Sequence, residues 1–109
     1  MIQDTISKIE ARLGQSGVKE EPKAELLTLL GTLKAEVAEL SKTHNEEAQS
    51  IAGFTQVSAH EAMRDEPNPA LVKHSVDGLA ASVEGFEKSH PRLVDIVNRI
   101  CTTLSNLGI

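Results

Sequence analysis

Along the last third of the chain one row of side chains repeats at alternating steps of four and three. It runs through Val72, Val76, Leu79, Val83, Phe86, His90, Leu93, Val97, Ile100, Leu104 and Leu107, and only His90 in it is polar. A period near 3.5 residues held over about five heptads marks a long helix whose seam faces other helices. A strand alternates every two residues and could not keep such a row on one face. The class that follows is all-α, and composition agrees. There are two Phe and no Trp or Tyr, and the frequent residues are Ala, Leu, Glu, Lys and Val, a set rich in helix formers.

A second row lies upstream: Leu26, Leu30, Leu33, Val37, Leu40, His44, Glu47, Ile51 and Phe54. It predicts one helix over 22–64, roughly 65 Å long at about 1.5 Å per residue. Pro22 suits its first turn, and Glu20 and Glu21 suit the positive helix start. Gly31 and Gly53 lie inside it, each costing about 1 kcal/mol against Ala, which implies close packing or a soft point. The run Asp65-Glu66-Pro67-Asn68-Pro69 ends the helix. Asn68 as cap and Pro69 as first residue open the next one.

That third helix is predicted over 70–108 with a kink at Pro91, whose ring removes a backbone bond to Glu87. The alternative is two helices meeting at Ser89-His90-Pro91 with Ser89 as cap. Gly108 can close the end, with Ile109 folded back on the last turn. Before all this, Ile2, Ile6, Ile9 and Leu13 make one face of a short helix over 3–13, which Gly14 ends in a left-handed cap.

The expected architecture is a single domain: a long antiparallel, coiled-coil-like hairpin with a short N-terminal helix. Its core and interface are Leu30, Leu33, Val37, Leu40, Ile51, Phe54, Leu79, Val83, Phe86, Leu93, Val97, Ile100, Leu104 and Leu107. The last helix has a wider apolar face than one partner can cover, because Val94, Ile96 and Cys101 flank the seam. That surplus predicts a homodimer of hairpins forming a four-helix bundle, with another protein as the other possible partner.

If the hairpin turns at Pro67, residue i faces roughly residue 134 − i, which sets His44 opposite His90. Glu47 and Glu87 are near this polar layer. The four side chains are candidates for a metal site or a pH-responsive layer, although no Glu-x-x-His or His-x-x-x-His pair is present. A structural layer fixing register is the simpler reading. His60 and His74 point outward as solvated residues, and the acidic face of Glu36, Glu39, Glu46 and Glu47 reads as solvated too. Cys101 reads as a buried, inert thiol.

No nucleophile–base pair, nucleotide loop or zinc spacing occurs, so no enzyme activity and no cofactor are expected. A net charge of -5 argues against nucleic acid. The chain lacks an apolar run long enough to span a bilayer, lacks the features of a signal peptide, and has one cysteine. These point to a cytoplasmic protein.

The closing segment, Phe86-Glu87-Lys88-Ser89-His90-Pro91-Arg92-Leu93 followed by Leu104-Ser105-Asn106-Leu107-Gly108-Ile109, resembles a family of small bacterial helical proteins of unknown function. That family ends in Phe-Glu-x-x-His-Pro-x-Leu and then Leu-x-x-Leu-Gly-Ile. The resemblance implies a bacterial, cytoplasmic, helical protein, and it sets His90 and Pro91 among the family's marked residues. It supplies no activity to carry over.

Overall fold

A computed structural model describes residues 2–108, which form five helices: α1 Ile2–Gly14, α2 Glu20–Leu40, α3 Asn45–Ala62, α4 Pro69–Ser82 and α5 Pro91–Gly108. Both long helices expected from the heptad rows are broken. The first breaks at 41–44 and the second at 83–90. The two-helix hairpin is therefore replaced by five helices around one core.

The physical reason is coverage. A rod of roughly 65 Å would leave most of its seam in water, whereas folding each rod in two brings the chain to 38 × 25 × 21 Å. Around the core, α1 packs on α2 and α3, α5 on α2, α3 and α4, and α4 on α3. The wide face of α5 is thus covered within the chain. Leu93, Val97, Ile100, Cys101 and Leu104 are buried, and Val94 and Ile96 are partly so. The surplus that argued for a dimer of hairpins in a four-helix bundle is absent.

The first break is made by local chemistry that a heptad count does not register. Ser41, Lys42, Thr43, His44 and Asn45 carry no large apolar side chain. Ser41 Oγ donates to the Ala38 carbonyl at 2.7 Å and Thr43 Oγ1 to that of Leu40 at 3.4 Å. Such hydroxyl-to-backbone bonds compete with helix continuation. His44, at φ -135° and ψ 61°, turns the chain.

The second break is built on Gly85, whose φ of +94° is the only positive value among the described residues. Its amide donates to both oxygens of the Glu87 carboxylate, at 3.0 and 2.8 Å. Pro91 then stands at the first position of α5, where it has no helix bond to lose. It is neither a kink nor preceded by a Ser89 cap, because the His90 carbonyl accepts the first helix bond, from Val94 N at 3.2 Å.

Other ends differ in smaller ways. Gly14 stays helical, and α1 is closed by Ser16, whose Oγ and amide both donate to the Leu13 carbonyl, at 2.7 and 3.1 Å. Lys19 is the N-cap of α2, so Pro22 sits third in the helix, still within the turn whose amides lack helix partners. Asn68 does cap α4, its side chain accepting from Ala70 N at 3.0 Å and Leu71 N at 3.4 Å. Gly108 is set by close approach: a Cβ there would stand 2.8 Å from a Val72 methyl. The fold-back expected of Ile109 lies outside the described residues.

The core holds Leu30, Leu33, Val37, Leu40, Ile51, Leu79, Val83, Leu93, Val97, Ile100 and Leu104. Phe86 and Leu107 are half-buried at its edge. Phe54 leaves it and is 41% exposed. Buried hydroxyls are satisfied one turn back on their own helices: Thr55 donates to Ile51 O at 2.7 Å and Ser58 to Phe54 O at 2.6 Å.

Candidate functional site

The two breaks meet at one end of the bundle. The α2–α3 turn carries His44 and the α4–α5 link carries Phe86 and His90. The three rings touch edge to face. Ring centres are 5.4 Å apart for His44 and Phe86, 5.5 Å for Phe86 and His90, and 6.3 Å for the two histidines. The histidines are thus neighbours, but at paired chain reversals rather than midway along two rods. His44 is exposed and His90 half-buried, so the cluster is a lid on the core rather than a layer within it.

Backbone bonds fix both histidines from both sides. The His44 amide donates to Leu40 O at 2.8 Å, and its carbonyl accepts from Ala48 N at 2.9 Å. The His90 amide donates to Phe86 O at 2.8 Å. Each ring is also held by the hydroxyl of the residue before it. Thr43 Oγ1 is 2.8 Å from His44 Nδ1, and Ser89 Oγ is 2.9 Å from His90 Nδ1. A repeated hydroxyl–histidine dipeptide, Thr43-His44 and Ser89-His90, was the sequence signal for this arrangement. Phe86 as the ring between them carried no signal beyond its heptad position.

The two carboxylates expected beside the histidines do not join them as ligands. Glu87 is engaged by the Gly85 amide, and Glu47 is exposed on the first turn of α3. Among the described residues no group of three or more His, Cys, Asp and Glu side chains could hold a metal ion.

Elsewhere, His60 accepts from Arg12 at its Nδ1, 2.9 Å away, and His74 is exposed. Cys101 is buried with its Sγ 3.7 Å from Val76 O. Burial, helped by the nearby Asp77 charge, pushes its thiol up to about 11. The thiolate needed for attack is correspondingly scarce near neutral pH.

Three large apolar side chains remain in solvent: Phe54 at 41%, Val57 at 49% and Leu71 at 43% exposed. Phe54 and Val57 are one turn apart on α3, and the Phe54 ring lies across α4 at Gly78. A Cβ at position 78 would come within 2.5 Å of that ring. Leu71 is two turns before Gly78, on the same face of α4. We term these three exposed side chains of α3 and α4 the ridge of the α3–α4 hairpin. At the opposite end from the histidines, a groove of about 710 Å³ runs between the α1–α2 link, the α3–α4 link and the end of α5, past Lys19, Glu25, Arg64 and Asn106. Thr103 Oγ1, which donates to Arg99 O at 3.0 Å, lies 3.4 Å from Glu25 Oε1 there.

Among the described residues no helix is long and apolar enough to cross a membrane. No curated protein and no solved structure matches the chain. A family model does match, over residues 2–109, and the chain belongs to that family, the domain of unknown function DUF4404.

Proposed function

We propose that this protein acts by binding rather than by catalysis, as a cytoplasmic interaction module whose first partner is a second copy of itself. The observation that carries this reading is the Phe54, Val57 and Leu71 ridge on α3 and α4. The seams are satisfied inside the chain, so these side chains are not unfinished core. An exposed apolar cluster of this kind suits a protein contact, and two-fold pairing is the commonest form of self-association. Candidate nucleophiles support a non-catalytic role. The Cys101 thiol is buried, and the hydroxyls of Thr55, Ser58, Ser75 and Thr103 donate to main-chain carbonyls. The net charge of -5 favours a protein partner over nucleic acid.

The test is solution mass by light scattering for the wild type and for Val57→Glu, with circular dichroism to confirm equal helix content. Val57 is 49% exposed, so a carboxylate there leaves the fold intact. A wild-type dimer that Val57→Glu turns into a monomer supports ridge pairing. A wild type that stays monomeric at high concentration overturns self-association, and a dimer untouched by Val57→Glu removes the ridge from the interface.

A further inference from the structure

We infer that Lys8 and Arg12 of α1, with Gln56 and His60 of α3, form a site for one small oxyanion, a phosphate or carboxylate group, in the hollow between the two helices. The inference does not depend on the ridge.

The hollow measures about 180 Å³. Buried Ile9 and Ala59 line it together with the exposed side chains of Lys8, Arg12, Gln56 and His60. Sites for drug-sized ligands run from about 300 Å³ upward, so this one suits a small group. No carboxylate lines it. Elsewhere on the surface the two signs are mixed: the larger groove has Lys19 and Arg64 beside Glu25 and Asp65, and the hollow at Lys73 also holds Asp77. A hollow whose charged lining is wholly basic stands out on a chain of net charge -5.

The two cations are also unspent. Lys34, Lys42, Arg64, Lys73 and Arg99 are each paired with a carboxylate, whereas among the described residues no ion pair engages Lys8 or Arg12. They are one turn apart on α1, where like charges face each other across about 5–6 Å and repel. An anion between them turns that repulsion into attraction.

One of the cations is already oriented. Arg12 Nη1 is 2.9 Å from His60 Nδ1. Arginine has no acceptor, so Nδ1 accepts, and the proton of the imidazole is on Nε2. That bond engages one guanidinium N–H and leaves four for a ligand. The ammonium, guanidinium, imidazole and amide groups of the set all carry N–H donors, and two of them are charged. This is the complement of an oxyanion, and a guanidinium can meet two of its oxygens at once.

The experiment is a titration of the full chain at constant ionic strength with inorganic phosphate and, separately, with acetate, read by NMR at backbone amides, arginine side chains and histidine rings. The expected result is saturation at one ion per chain, with shifts concentrated at residues 8–12 and 56–60. Arg12→Gln should weaken binding by about tenfold or more, the worth of a lost charge-assisted contact. Lys8→Gln should weaken it severalfold, and His60→Ala severalfold through the freed guanidinium. Lys73→Gln, on an exposed residue already paired with Asp77, should leave affinity unchanged. Tighter binding of phosphate assigns the site to a phosphoryl group, and tighter binding of acetate to a carboxylate. Shifts that rise without saturating and spread over all basic residues, or wild-type affinity in Arg12→Gln, would overturn the site. The titration of the wild type decides the matter even where a variant folds poorly.

Discussion

The two ends of the bundle are closed by different means. At one end the α3–α4 reversal is written in adjacent residues: Asn68 caps α4 and Pro69 takes its first position. At the other, the α2–α3 turn and the α4–α5 link close against each other through His44, Phe86 and His90, residues up to 46 positions apart. The first closure needs only local hydrogen bonding. The second exists only once two distant segments have met, and Phe86 within it packs against the core. A cap contributes about as much as one good hydrogen bond, whereas packed apolar side chains contribute several times more.

Substitutions can break or sharpen this comparison. The largest effect is expected for Leu40→Ala, a fully buried residue at the end of α2. It should destabilise by about 2–5 kcal/mol in urea unfolding, with the ring contacts at His44 lost in the NMR spectrum of whatever remains folded. Next is Gly85→Ala. A left-handed backbone with a φ of +94° burdens any residue with a Cβ, so a loss of about 1–2 kcal/mol is expected. Hydrogen exchange should localise it to residues 83–90.

Asn68→Ala removes the α4 cap and should cost about 1 kcal/mol in the same unfolding assay. A loss greater than that of Leu40→Ala would mean that the capped end, not the packed one, dominates stability. The smallest effect has the opposite sign. Gly53 lies inside α3, and a Cβ there would meet nothing within 4 Å. Gly53→Ala should therefore raise stability by about 0.5–1 kcal/mol. A loss instead would show that something approaches α3 at that point.

The candidate site was half legible in the same way. Facing register set His44 opposite His90, and the rings do lie 6.3 Å apart. The surroundings were misplaced, because register along two unbroken rods puts the pair in the core with Glu47 and Glu87 beside it. The breaks bring it to the surface and assign Glu87 to the Gly85 amide. The hydroxyls of Thr43 and Ser89 were visible as neighbours in sequence, but their role depends on ring orientation, which periodicity does not specify. The ridge was hidden for a related reason. Phe54 satisfies the heptad, yet in three dimensions it lies over Gly78 at the rim.

By itself the sequence determined an all-α protein, the first helix near 3–13, the reversal at 65–69 and the rows from which the core is drawn. Each follows from local chemistry or from periodicity, and neither needs a partner in space. Tertiary structure decided where the two long rows fold. Through 41–44 and 83–90 the heptad phase continues without interruption, so the pattern gives no reason to stop. The chain stops there because two broken rods bury both seams in one core, and two straight ones would leave them in water.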